Sequence, residues 1–141
     1  MANLTGSYDA DDKPAELVGY NMKAATLIYK GALVAVDDAS GFLVKAGDLA
    51  AVTFAGVAFE GGDNRTGADG GLGLRVTKVG SMIYGLSGVA ASQAVIGKKA
   101  YAFDDNTVCL FAASTNKVYV GDIVALVLGG QVRVRINRAG G

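Results

Sequence analysis

Glycine breaks this chain into pieces too short for anything but strands and turns. Twenty-one glycines stand against a single proline in 141 residues. They separate short runs of Val, Leu, Ile and Ala and do not fall in a collagen triplet. A residue without a Cβ enters the positive-φ region of tight turns at no steric cost and weakens a helix interior. Eleven runs between these breaks read as strands: "LVGYNM", "TLIYK", "ALVAVD", "GFLVKA", "AVTFAGVAFE", "LGLRVTKVG", "MIYGLS", "KAYAFD", "TVCLFAA", "DIVALVL" and "QVRVRIN". The expected fold class is all-β: a compact barrel or sandwich of short glycine-turned strands, preceded by an extended N-terminal arm.

The final run has the plainest period. Val132, Val134 and Ile136 alternate with Arg133, Arg135 and Asn137, which places one face in the core and the other in water or against a partner. "ALVAV" and "IVALVL" are apolar on both faces and belong to an interior. Val34, Val36, Val57, Val124, Leu126, Val132, Val134 and Ile136 are therefore the expected core. Helix signals are weak: "GDLAAV" and "VAASQAVIG" each allow about two turns, the second with Ser92 near its start, without convincing caps.

Residues 1–16 are polar, carry the only proline, Pro14, and read as a flexible arm before a single β domain at 17–141. Leu4, Tyr8 and Pro14 stand out as isolated anchors within it. The opening "MANLTGSYDADDKP" lacks the basic segment and apolar core of a secretory signal. The longest apolar stretches fall short of the roughly 18 residues of a membrane helix. A soluble protein is expected, with no membrane partner. Thirteen basic and thirteen acidic side chains cancel, and no nucleic-acid partner is expected of a neutral domain. Histidine is absent, which removes Ser-His, Cys-His and histidine-based zinc chemistry. The lone Cys109 sits in "TVCLFA" and reads as a buried small hydrophobe.

Two aspartate pairs invite a chemical reading. Asp37-Asp38 ends the run "ALVAVD", and Asp104-Asp105 ends "KAYAFD". Each precedes a short linker and another apolar run, so backbone-bonding turn aspartates explain both without further partners. A shift of 67 residues superposes these pairs, and also Leu43 on Leu110, Val57-Ala58 on Val124-Ala125 and Gly62 on Gly129. The constant offset suggests two related β-units closing one barrel. The polar loop "EGGDNRTGADGGLG", residues 60–73, holds Asp63, Asn64 and Arg65 but lacks the order of a calcium loop or a P-loop. Exposed loops on rigid β scaffolds often touch partners, so Asp63, Asn64 and Arg65 join Leu4, Tyr8 and Pro14 as candidate interface residues. No catalytic, cofactor or metal residue is assigned, and no enzyme activity is expected.

The segments "IYKGALVAVD…GFLVKAG", "FAGVAFEGG" and "VIGKKAYAFDDNTVCLFA…NKVYVGDIVALVLGGQVRVRIN" resemble the capsid decoration, or cement, proteins of tailed bacteriophages. The resemblance runs from about Tyr29 to Asn137. It implies a structural virion protein on the outer capsid surface, soluble in the host cytoplasm before assembly. Such a protein binds the major capsid protein and itself, as a homotrimer, and bridges capsomers of the expanded shell. A β-barrel ligand-binding module, a hydrolase using the aspartate pairs, and a tail or fibre subunit are the alternatives that the residues leave open.

Overall fold

The computed structural model describes residues 16–136. Leu4, Tyr8 and Pro14 of the expected arm, and Asn137, lie outside the described residues. The described chain is all-β, as its glycine punctuation predicts, with two single-turn 3-10 helices at Gln93–Val95 and Phe111–Ala113.

The first half contributes β1 (Leu17–Asn21), β2 (Thr26–Ile28), β3 (Leu33–Asp37), β4 (Leu43–Lys45), β5 (Val52–Ala58), β6 (Gly62–Asn64) and β7 (Gly73–Thr77). Five of these form an antiparallel sheet in the order β1-β7-β5-β3-β4, while β2 and β6 pair as a separate ribbon. The second half contributes β8 (Gly80–Ser87), β9 (Lys99–Ala102), β10 (Thr107–Cys109), β11 (Tyr119–Val127) and β12 (Gln131–Ile136), closed into a barrel in the order β10-β8-β12-β11-β9.

These two units share one plan. With β2 and β6 set aside, each unit orders its strands first, fifth, fourth, second, third. In the second unit, a parallel ladder between β8 and β10 joins the first strand to the third and closes the barrel. In the first unit the corresponding link shrinks to one parallel bridge, Met22 with Leu43. The 67-residue echo marks equivalent elements: the β3–β4 and β9–β10 turns hold the aspartate pairs, and β5 corresponds to β11. One expectation is corrected here. The units do not close a single barrel together: no strand of one ladders with a strand of the other, the second closes by itself and the first remains an open sheet.

A shared core joins them instead. Leu33, Ala35, Phe54 and Val57 pack with Tyr84, Val108, Ile123, Val132 and Val134 of the second unit. The opposite faces of the same strands, through Val34, Ala55 and Ala58, pack with Met22, Ile28, Leu43, Leu74 and Val76. β3 and β5 are therefore buried on both sides, which is why their sequences lack polar alternation. Polar clamps reinforce the seam. The Leu33 N–H donates to Asp105 O at 2.8 Å, and the Tyr84 hydroxyl donates to Gly31 O at 3.0 Å. The Asp48 carboxylate accepts the N–H groups of Thr115 and Asn116 at 2.9 and 2.7 Å.

Val34, Val57, Val132, Val134 and Ile136 are buried as expected, and Val36 is half-buried. Val124 and Leu126 are not core; they are 36% and 37% exposed. β9 pairs with β11 from Tyr119 to Asp122, and Ile123 bonds to Gly97 and Lys98 just before β9, so from Val124 onward β11 is laddered to β12 alone. A β-bulge between Ile123 and Ala125 also breaks the in-out alternation there. The helical expectations shrink too: "GDLAAV" is a turn with Ala51 at φ 56°, and "VAASQAVIG" retains only the 3-10 turn, which Ser92 does not cap through its side chain.

Gly56 shows how closely β5 and β7 approach. Its φ is 146°, and a Cβ there would overlap Thr77 O and lie 2.7 Å from Val76 Cγ1. Gly56→Ala should cost about 2–4 kcal/mol, combining backbone strain with overpacking against main chain that cannot swing away. The midpoint of urea unfolding measures it, and a shift within error would contradict this packing.

Candidate functional site

The acidic pairs are spent on architecture. Asp37 Oδ2 accepts Lys23 Nζ and Ser40 Oγ, each at 2.8 Å, and its carbonyl accepts the Gly41 N–H, which closes the β3–β4 turn. Asp38 Oδ1 accepts Thr53 Oγ1 at 2.7 Å. In the β9–β10 turn, Asp104 Oδ1 accepts the Asn106 N–H at 2.9 Å, a side-chain-closed turn. Among the described residues, no three His, Cys, Asp or Glu side chains converge as a metal site. No helix among them is long and apolar enough to cross a membrane. Cys109 is buried and free, and burial pushes its thiol up.

The loop from 60 to 73 divides its candidates into two kinds. Asn64 is buried, and its amide donates to Lys23 O at 3.0 Å and Ala68 O at 2.9 Å, with Met22 O at 3.4 Å. It braces the loop from within. Asp63 and Arg65 stay exposed and pair with each other, with Nη2 2.8 Å from Oδ2. Asn64→Ala should cost about 2–3 kcal/mol, because buried carbonyls lose their donor without gaining water. Chemical denaturation of the variant checks this.

Four carboxylates share one electrostatic character. The Arg75 guanidinium holds Glu60 at about 2, below its usual 4.5, and Arg65 holds Asp63 at about 2. Lys23 lowers Asp37, and the backbone N–H of Thr115 lowers Asp48. Each folded-state value lies below the unfolded one, so the stability these groups supply is fully present above the ordinary carboxylate range. That stability is lost as pH falls through the range toward about 2. The thermal midpoint should be flat from neutrality to about pH 5 and fall steadily below it. A flat profile to the acid limit would contradict these pairings.

A different surface gathers groups that the chain holds apart. β9 lies between β10 and β11, so three segments meet: Lys98-Lys99 entering β9, Leu110-Phe111 after β10, and Lys117 to Tyr119 entering β11. Tyr101 pairs directly with Tyr119 across the ladder. Its ring stands edge-on to Phe111 at 5.7 Å and to Tyr119 at 5.8 Å, the geometry aromatic quadrupoles favour. Lys117 Nζ sits 4.1 Å from the Phe111 ring centre and Lys99 Nζ 5.6 Å from that of Tyr119. The open groove, about 620 Å³, is lined by Lys98, Lys99, Tyr101, Leu110 and Phe111. Phe111 is 61% exposed, much for so large an apolar ring. The Tyr119 hydroxyl donates to Asp122 Oδ1 at 2.8 Å, and burial with that acidic neighbour pushes it up to about 12.

Compared with known protein families, curated proteins and solved structures, the chain matches none.

The groove was missed in the sequence because no single segment carries it. Lys98, Lys99 and Tyr101 come from "GKKAY", whereas Phe111, Lys117 and Tyr119 come from "LFAASTNKVY". The available signal was lysine beside aromatic in two segments that flank the Asp104-Asp105 turn.

Proposed function

We propose that this chain is a structural, non-catalytic virion protein that binds the outer surface of a tailed-phage capsid as a homotrimer. It bridges neighbouring capsomers and stabilises the expanded shell. The observation that carries the reading is the repeated strand plan: two units of matching order are held rigidly by one core. Two similarly built units in one rigid body suit a protein that must touch two similar neighbours at once, since linked contacts strengthen each other without new chemistry. The resemblance to decoration proteins bears on the same elements. "GKKAYAFDD" forms β9 and its turn, and "VGDIVALVLGGQVRVRI" forms the β11–β12 hairpin. A protein that binds only the expanded shell shifts the shell's equilibrium toward that state by mass action.

Co-sedimentation tests this directly. The purified chain should pellet with expanded empty shells of the phage that carries its gene, saturate, and add density to their outer surface on imaging. It should leave unexpanded precursor shells bare. Failure to pellet with expanded shells would overturn the reading.

A further inference from the structure

The groove on the barrel of the second unit gathers lysines beside an exposed aromatic ring. Lys98, Lys99 and Lys117 are all exposed around it. Among the described residues none of the three pairs with a carboxylate. The nearby acids are already engaged: Asp122 by the Tyr119 hydroxyl and Arg135, and Asp48 by the Thr115 and Asn116 N–H groups. Phe111 offers an open ring beside these charges.

Residues 1–15 precede the described body and join it at β1, an edge strand of the first unit that ladders only with β7. They hold Asp9, Asp11 and Asp12 against one Lys13, with Leu4 and Tyr8 upstream of the acidic run. Fifteen extended residues reach roughly 50 Å, whereas a chain of this size folds to a body roughly 35–40 Å across. The segment is long enough to leave its own body and reach a neighbour's.

We infer that residues 1–15 of one copy dock in the Lys98–Lys99–Phe111 groove of a second copy. Tyr8 or Leu4 packs on Phe111 and Tyr101, and the aspartates face Lys98 and Lys99, while Lys117 Nζ stays bound to the Phe111 and Ser114 carbonyls. Each copy then has one segment to give and one groove to fill, a head-to-tail contact that closes into a ring when the rotation between copies allows it. Exposed charge pairs are screened by salt, so the association should weaken as ionic strength rises. The inference rests on the homo-oligomer of the proposed function and not on the shell. Its readout needs no shells, so the two fail separately.

The test is a charge exchange in the full chain, read by sedimentation across a wide concentration range. One variant carries Lys98→Glu and Lys99→Glu, the other Asp9→Lys, Asp11→Lys and Asp12→Lys. Alone, each places like charges against each other and should associate at least about tenfold more weakly than the unaltered chain. Mixed, a segment of one variant meets a groove of opposite sign in the other, so association should recover above that of either variant alone, although a ring of three keeps one like-charge contact. Phe111→Ser, at an exposed position, supplies an independent weakening without charge change. Thermal transitions close to that of the unaltered chain confirm that all three variants are folded. The inference is overturned by an unaltered chain that stays monomeric throughout, by charge variants that associate normally on their own, or by a mixture that does not recover. The first outcome is the one expected if the segment folds back on its own copy.

Discussion

Val134→Asp should leave the chain unfolded at room temperature. Val134 is wholly buried on β12, which is laddered on both sides, and lies opposite Ile123 on β11 and Met82 on β8. It belongs to the core that joins the two units, so no alternative packing spares one unit at the expense of the other. The cluster offers a carboxylate there no cation, and the hydroxyl of Tyr84 already donates to Gly31 O. The carboxylate must either remain charged in an apolar interior or take up a proton, and both cost several kcal/mol. Domains of this size have about 5–15 kcal/mol of stability in total. Val134→Ala, which removes two methyl groups and leaves a cavity without burying a charge, should cost about 2 kcal/mol and still fold. Far-ultraviolet circular dichroism separates the two: the alanine variant should keep the β signal and a cooperative transition, the aspartate variant neither. A folded Val134→Asp with a near-normal transition would remove β12 from the core.

Much of this architecture was legible in the residues, for identifiable reasons. β12 alternates strictly because it has one buried face, and its inward valines were assigned from that period alone. "ALVAV" correctly signalled burial on both sides, since β3 separates two packed clusters. The same logic failed for "IVALVL". Its outer half is apolar yet extends past β9, and Leu128 at the hairpin tip is 95% exposed. An apolar run reports that a residue avoids water only if another surface lies within reach, and strand length relative to a neighbour is invisible in one segment. β6 was hidden for the opposite reason. Its three residues, Gly-Asp-Asn, have a loop composition, and they pair with β2 because Asn64 anchors the loop from inside. The repeat was visible through the turn aspartates. Whether its units shared one barrel or paired separately, one as a sheet and one as a barrel, depended on ladder ends such as the Met22–Leu43 bridge, which composition does not encode. The groove required three segments brought together by the β9–β10 hairpin, so its parts were readable and its assembly was not.

Deleting residues 2–14 should barely move the thermal transition while weakening attachment to expanded shells by at least tenfold, about 1.4 kcal/mol. The buried clusters and paired strands of the described residues are built from residues 17–136, and the deletion removes none of these residues. What is lost is a segment with two anchors, Leu4 and Tyr8, and three aspartates within four positions. Such a segment binds an extended surface by main-chain pairing and shallow pockets, and ordering it consumes part of the gain. The loss should exceed tenfold if the segment also ties copies together, because a bound trimer is held by linked contacts whose combined affinity can exceed a single contact by about 10²–10⁴. Parallel measurements locate the effect. A truncated chain that still associates in solution but leaves shells bare assigns the segment to the capsid, and one that loses both assigns it to the neighbouring copy. A truncated chain that decorates shells with undiminished affinity would show that the segment is not a binding element at all, and that the barrel surfaces alone carry the attachment.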